Sequence, residues 1–317
     1  MSRHWFLTGA SSGIGRHLAE IILASGDDLT ATVRRPETLD DLAARYGDQL
    51  VVERLDVTVK GDIAPVVQRA EARRPVDVLV NNAGGGIIGA TEEFSDADIE
   101  GQISLNLLAP VHVTRAFIPA MRTRRAGRII QISSASGQGS LPTSSLYHAA
   151  KWGLEGFSEC LRQELEGFGV FVTLIEPGGA RTSFSRNLQY APANPAYQDT
   201  PAGQIRAMFE NAGDELYTLD PQKIAHRIFD TATSEKPPLR VALGGDAFGV
   251  IQAALKGRLS ALEAQESLAR SVAFDSYRCF RSSPGRRQSQ QQPWPRTTAA
   301  LSMRAPYRPA TSTGQVW

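Results

Sequence analysis

Seven short apolar runs recur along the first 243 residues, and longer stretches with helical spacing separate them. The runs are HWFLT (4–8), LTATV (29–33), LVVERL (50–55), VDVLV (76–80), RIIQI (128–132), VFVTLI (170–175) and LRVAL (239–243). Helical patterns fall at about 14–25, 61–73, 96–122, 145–167, 221–233 and 247–270. Strands that alternate with helices predict an α/β fold with a parallel sheet covered by helices on both faces. Right-handed crossovers make a doubly wound seven-stranded sheet the economical arrangement. A closed eight-stranded barrel is the competitor, but it needs an eighth strand–helix unit that the chain lacks. No internal repeat is present.

The composition narrows the function classes. A chain of 317 residues with 42% hydrophobic residues can bury one large core or two smaller ones. Two cysteines, Cys160 and Cys279, suit neither a disulfide framework nor a metal site, so no metal is expected and a reducing, cytoplasmic setting is the default. The amino terminus runs almost directly into an apolar strand, and no stretch approaches the ~18 apolar residues of a membrane span. The net charge of +1 conceals a split, because residues 276–317 hold seven arginines and no Asp, Glu or Lys. Taking those seven from the 34 basic residues leaves 27 against 33 acidic ones, a body of net −6. A nucleic-acid partner fits that acidic body poorly.

Directly after the first run comes TGASSGIG, with Gly9, Gly13 and Gly15 opening a helical pattern. Glycines there permit a tight turn and let backbone amides approach a phosphate at a helix amino terminus. At the end of the second run, where an NAD-binding chain offers a carboxylate to the ribose, this one reads Val33-Arg34-Arg35. An arginine cannot accept from a hydroxyl but pairs well with a phosphate, which favours NADP(H) over NAD(H). Further on, Tyr147 and Lys151 stand four residues apart, on one face of a helix. A nearby ammonium favours the phenolate, and a phenol with a lowered pKa is a better proton shuttle.

The motifs TGASSGIG, LDVT (55–58), NNAG (81–84), ISSASG (132–137), YHAAK (147–151) and EPGGART (176–182) occur in that order. In order and spacing the chain resembles the short-chain dehydrogenase/reductases, over about residues 3–275. The resemblance implies a Rossmann-like fold and hydride transfer between a nicotinamide and a carbonyl or alcohol. It implies that Tyr147 is the acid or base, that Lys151 lowers its pKa and binds the nicotinamide ribose, and that Ser134 bonds the substrate oxygen. It casts Asn106 as support for a water relay to the lysine. The implied cofactor contacts are Gly9, Ser11, Ser12, Gly13, Ile14, Gly15, Arg34, Asp56, Val57, Asn82, Ala83 and Gly84. Tyr147, Lys151, Pro177, Gly178 and Thr182 are implied near the nicotinamide. Asn81 is read as a tie between strands, and His148 as a bystander about 100° around the helix from Tyr147.

Between Arg181 and Asp220, Phe184, Tyr190, Tyr197, Phe209 and Tyr217 lie among Pro and Gly, where the family keeps a mobile substrate lid. This suggests an apolar or ring-bearing alcohol or ketone, with packing of the lid onto the body as the alternative. A non-catalytic NADP-binding regulator on the same fold is the rival reading, and self-association into a homo-oligomer is left open. The boundary between body and tail is expected near Asp275. The tail, rich in Pro, Gln and Ser, is expected to be disordered. It reads as a basic arm, as an ordinary solvated tail or as the product of a frame shift near Asp275, the last being favoured.

Overall fold

The computed structural model describes residues 2–274, so the expected tail, 276–317, lies outside the described residues. Contacts divide the chain into a compact unit, Met1–Ala264, and a second unit, Gln265–Trp317. In chain order the elements begin β1 (His4–Thr8), α1 (Gly13–Ala24), β2 (Asp28–Val33), α2 (Asp40–Tyr46), β3 (Leu50–Arg54), α3 (Lys60–Arg73) and β4 (Val78–Asn81). They continue with β5 (Ile87–Ile88), α4 (Asp96–Ile103), α5 (Ala109–Arg124), β6 (Gly127–Ile132), α6 (Ser145–Leu165) and β7 (Val170–Pro177). Next come α7 (Ser183–Arg186), β8 (Gln189–Tyr190), α8 (Pro201–Glu210), α9 (Pro221–Thr233), β9 (Arg240–Leu243) and α10 (Gly245–Glu263). In the second unit, α11 spans Glu266–Ser271.

The seven expected strands form one sheet in the order β3-β2-β1-β4-β6-β7-β9, with every neighbouring pair parallel. The central strands β1 and β4 are buried along their whole length because both of their faces are covered. In β1, Trp5 and Leu7 join a core with Leu18 and Ile22 of α1 and Ile224 and Ile228 of α9. Phe6 points the other way, into a core with Val67 of α3, Phe117 of α5 and Leu161 of α6. Leu79 in β4 and Ile129 in β6 repeat that alternation, the two-residue period of a pleated strand. Phe6 meets Phe117 edge to face at 4.8 Å, and Trp5 stacks on Phe229 at 5.3 Å. Each such side chain contributes roughly 1.5–3 kcal/mol by burial.

Two helices depart from the sequence pattern. The single helix expected at 96–122 is interrupted by a π-helical turn, Ser104–Leu108, between α4 and α5. Asn106 Nδ2 donates to the Gln102 carbonyl at 3.2 Å, and Pro110 has no N–H for the carbonyl four residues before it. The Ala109 N–H reaches back five residues to Ser104 O, which widens the turn. The helix expected at 247–270 ends at Glu263, with α11 separate. The segment expected as a mobile lid has pairings of its own: β8 pairs with β5, a parallel bridge joins Ala180 to Leu219, and Arg206 of α8 pairs with the Glu93 carboxylate at 3.3 Å.

Asn81 ties strands together, as its position suggested. Its Nδ2 donates to Thr114 Oγ1 at 2.9 Å and to Gln131 Oε1 at 3.0 Å, and Gln131 Nε2 donates to Thr114 Oγ1 at 3.0 Å. All three residues are buried, so β4, β6 and α5 are fastened through polar groups cut off from water. Asn81→Ala leaves the Gln131 oxygen without this donor and should cost about 1–3 kcal/mol, read from urea unfolding. A loss under ~0.5 kcal/mol would mean that the triad is energetically idle.

Candidate active site

The glycine turn leaves the sheet between β1 and α1 and meets the loop after β4. Gly9 has φ +70°, and a side chain there would lie 2.9 Å from the Ala83 Cα, so both conformation and space require glycine. At Gly15 a methyl group would overlap the Gly9 carbonyl oxygen. The Thr8 hydroxyl accepts from the Asn82 and Ala83 N–H groups at 3.0 and 3.1 Å. Asn82 Nδ2 donates back to the Thr8 and Gly9 carbonyls at 3.1 and 3.0 Å. Ser11 and Ser12 are exposed, and Ile14 packs partly against the core. Ser12 makes no side-chain cap to α1, whose first turn carries no acid; its hydroxyl instead accepts from Ser183 at 2.7 Å. Gly13 lies against Thr182, a buried residue whose hydroxyl caps α7 by accepting from the Phe184 N–H at 3.2 Å.

At the ribose end, Arg34 and Arg35 are exposed beyond β2. Asp56 Oδ1 accepts from the Thr58 hydroxyl and N–H at 2.7 and 2.9 Å, and Val57 is buried. The Thr58 bonds, and then the Arg34 charge, hold the Asp56 carboxyl below the usual range. Open glycine backbone at a helix start, exposed hydroxyls, one carboxylate and two exposed guanidinium groups fit a phosphorylated dinucleotide.

The residues expected to handle a proton, Ser134, Tyr147 and Lys151, converge beyond the end of β6. Ser134 follows β6 and accepts from the Ser136 N–H at 3.1 Å. Tyr147 and Lys151 sit on α6, with Lys151 Nζ 5.6 Å from the Tyr147 ring centroid. Burial pushes the Tyr147 phenol up to about 12, against the pull of its hydrogen bond to Ser134. Lys151 is buried and donates to the Ile132 carbonyl at 2.8 Å. Burial lowers its pKa to about 8, against the raising effect of Glu155. In the protein alone Lys151 is directed at a backbone carbonyl, and burial is the largest influence on the phenol.

Asn106 lies in the π turn, buried, and that turn packs against α6. Its Nδ2 donates to Gly85 O at 3.0 Å and its Oδ1 accepts from Gly85 N at 3.3 Å, with Gly84 alongside. Pro177 ends β7; Gly178 N donates to Leu243 O at 3.0 Å, and Gly179 N donates to Asp246 Oδ2 at 2.7 Å. His148 is turned away from the phenol, its Nδ1 2.9 Å from Ser136 O.

The sequence profile described as short chain dehydrogenase matches residues 3–192. The chain belongs to the short chain dehydrogenase family. Oxidoreductase BOA17 of Botryotinia fuckeliana is 35% identical over 250 residues, 78% of this chain and 90% of that protein. The crystal structure of a short-chain dehydrogenase from Streptomyces avermitilis, 38% identical, matches with a TM-score of 0.79 over 86% of this chain and 98% of the other. A metagenomic short-chain oxidoreductase in complex with NADP, 27% identical, matches with a TM-score of 0.61 over 76% and 96%. The same fold carries NAD in a protein from Burkholderia phymatum, 23% identical, with a TM-score of 0.69 over 83% and 95%. This short chain dehydrogenase is thus an oxidoreductase of a nucleotide-dependent family. Among the described residues no helix is long and apolar enough to cross a membrane.

Sequence reasoning missed a buried acidic cluster next to the lysine. Glu155, one turn beyond Lys151, accepts from Ser133 at 2.5 Å, from Gln138 at 3.3 Å and from Arg240 at 2.9 Å. Glu176, at the end of β7, accepts from Gln138 at 3.2 Å and lies 3.6 Å from Arg240. Both carboxyls are buried and share one arginine, which also pairs with Glu159. The four-residue series Tyr147, Lys151, Glu155 was the available signal, since it marks one helix face. Burial and then Glu155 push the Glu176 carboxyl from 4.5 up to about 7. Its pKa is raised on folding, so its contribution is present at low pH and lost as pH rises from about 4.5 through 7. Glu176→Gln, neutral at every pH, should match the wild type at pH ~5 and exceed it by about 1–2 kcal/mol at pH ~8. Thermal unfolding at both pH values checks this; equal stabilities at the higher pH would show that no proton is held there.

Proposed function

We propose that this short chain dehydrogenase is an NADP(H)-dependent ketone reductase or alcohol dehydrogenase acting on an apolar or ring-bearing substrate. The observation that carries the reading is the Tyr147 phenol, bonded to Ser134 with Lys151 beside it and Phe184 across from it, ring centroids 5.8 Å apart. The turn at Gly9, Ser11, Ser12, Gly13, Ile14 and Gly15, with Asn82, Ala83 and Gly84, would hold the dinucleotide, with Asp56 and Val57 at the adenine. Pro177, Gly178 and Thr182 would border its nicotinamide, which supplies the hydride when bound.

The chain's own part is proton transfer. Tyr147 Oη, with its pKa at about 12, keeps its proton at neutral pH and can give it to a substrate oxygen. Ser134 Oγ bonds the Tyr147 hydroxyl and can bond the same substrate oxygen, which fixes the line of transfer. Lys151 brings a positive charge beside the phenolate left behind, and this lowers the cost of giving up the proton. Asn106 stiffens the loop after β4 through both bonds to Gly85. Phe184, 37% exposed, presents a ring face to the substrate beside the acid. Tyr147→Phe should leave NADPH binding intact and lower turnover of a screened ketone roughly 10²–10⁴-fold. Turnover near the wild-type level would remove Tyr147 from the mechanism and leave a nucleotide-binding protein without this chemistry.

NADP preference rests on Arg34 and Arg35, which occupy the place of a ribose-binding acid. Arg34 would pair with the 2′-phosphate. Arg34→Asp should move the preference toward NADH by tenfold or more, each tenfold corresponding to ~1.4 kcal/mol. Fluorescence titration with both dinucleotides measures the ratio. Tighter binding of NADH than NADPH by the unmodified protein would reverse the assignment.

A further inference from the structure

Glu155 is buried one turn beyond Lys151, and the proton transfer described above gives it no part. Its two carboxylate oxygens hold the two ends of the segment that carries Ser134. Oε1 accepts from the Ser133 hydroxyl at 2.5 Å, and Oε2 accepts from Gln138 Nε2 at 3.3 Å. Between those ends the segment lies flat on the Glu155 side chain: a Cβ at Gly137 would stand 2.8 Å from both Glu155 Cγ and Ser133 Oγ. Two more side chains of α6 hold the same stretch. His148 Nδ1 lies 2.9 Å from Ser136 O, and Trp152 Nε1 donates to Gly139 O at 3.0 Å. His148, Trp152 and Glu155 recur at intervals of four and three residues, one sector of the helix. The helix that bears Tyr147 and Lys151 thus grips the segment that bears Ser134.

A joint between α6 and β9 does not require this residue. Glu159, one turn further along α6, bonds the same Arg240 at 2.9 Å with 52% of its side chain exposed. A carboxylate taken out of water is costly, and a pair at the rim avoids most of that cost. Glu155 sits deeper, where its bonds reach the serine segment and its charge reaches the lysine. Among the described residues it is the charged group whose field supports the Lys151 ammonium against the effect of burial. Lys151 faces Tyr147 and Glu155 on its own helix and the Ile132 carbonyl of β6, and the neutral Asn106 stands in the π turn packed on α6. Glu155 in turn faces Arg240 of β9, Glu176 of β7 and Gln138, whose Oε1 accepts from Arg258 of α10 at 3.2 Å. On α4, Asp96 and Glu100 are exposed and Asp98 bonds Ser95; on α5, His112 lies near Lys60 and Arg115.

We propose that Glu155 is a positioning residue of the active site: it fixes Ser134 through Ser133 and Gln138, and it supplies the counter-charge to the Lys151 ammonium beside Tyr147. Its effect on turnover rests on the roles given above to Ser134, Tyr147 and Lys151; its hold on the serine segment and on the lysine does not. Without the Glu155 charge, burial acts on Lys151 unopposed, so the ammonium gives up its proton at a lower pH. Arg240 keeps Glu159 and Glu176 as partners when Glu155 is made neutral, so the joint between α6 and β9 remains.

The sequence holds only five lysines, so the ammonium can be followed directly in the full chain. NMR of protein carrying carbon-13 at lysine Cε reads each titration, and Lys151→Met identifies the signal. Glu155→Gln should lower the Lys151 midpoint by roughly 0.5–1 pH unit, and Glu155→Asp, which keeps the charge, should restore it. Glu176→Gln should move it by less than about half as much. Ser133→Ala removes one grip and leaves the charge, so the midpoint should stay at its wild-type value. With NADPH and a ketone that the wild type reduces, Glu155→Gln and Ser133→Ala should each lower kcat about 10-fold or more, with KM nearly unchanged. Glu155→Gln alone should also carry the alkaline fall of kcat to lower pH. A Lys151 midpoint that Glu155→Gln leaves unmoved, with the circular dichroism intact, overturns the proposal. So does wild-type kcat in Ser133→Ala, a milder change that decides the matter even where Glu155→Gln fails to fold. Equal losses of kcat at every pH in Glu155→Gln and Glu155→Asp would mark a mere structural joint and overturn it too. Full turnover in Tyr147→Phe would instead sink the reading of the reaction, while the lysine midpoints would still show whether Glu155 governs Lys151.

Discussion

Strand β1 pairs with β2 on one side and with β4 on the other, and the positions of the remaining elements follow from that pairing. Parallel strands are joined by right-handed crossovers, so the chain winds outward from β1 to β3 and then returns to wind the other way from β4. Where the direction reverses, the loops leaving the two strands part, and a crevice opens beyond their carboxyl ends. Thr8 and Asn82 stitch the two loops across that gap, each using its side chain on the other's backbone. The close approach of Gly9 to Ala83 is the steric consequence. A nucleotide cradle here is a property of the topology, with glycine supplying the clearance.

The opposite half of the crevice is an electrostatic problem. Lys151 and Glu155 on α6 and Glu176 on β7 are all buried, and Arg240 pairs with both carboxyls. Buried charge is expensive unless it is paired and fully bonded. The fold reduces that expense by shifting protonation: the phenol is held neutral, the ammonium is weakened and one carboxyl keeps a proton near neutral pH. Groups with displaced pKa values beside a crevice are the usual substance of acid–base chemistry. Here the acidic cluster also joins α6, β7 and β9 behind the lysine, so the support of the site is itself sensitive to protons.

The wall that would face a substrate comes from the segment between β7 and α9. Its ends are drawn together where Arg181 N and Leu219 N donate to Leu219 O and Gly179 O, each at 3.0 Å. Its middle is pinned by Arg206 to Glu93 and to the Ala191 carbonyl. Phe184 is carried to the phenol by a helix of one turn that Thr182 caps. The cap residue therefore connects the glycine turn, through Gly13, with the aromatic wall.

The sequence by itself determined the fold class, all seven main strands and the order of the motifs. Those signals are local: a strand buried on both faces is mostly apolar, and the tight turn at Gly9 must be glycine. It also put Tyr147 and Lys151 on one helix face, because four residues make about one turn. Only the tertiary structure decided what meets what. The π turn at Asn106 depends on a side chain competing for its own helix's carbonyl while bonding Gly85, 21 residues away. The pairing of β5 with β8 joins two-residue strands about a hundred positions apart, too short to carry a period. The phenol and ammonium shifts arise first from burial by distant elements, which the four-residue spacing of the pair does not report. Glu155 was on the correct face in the sequence, but only the arrival of Arg240 and Glu176 from other strands made it part of a cluster. Long-range packing sets the dielectric, and the dielectric decides where the protons reside.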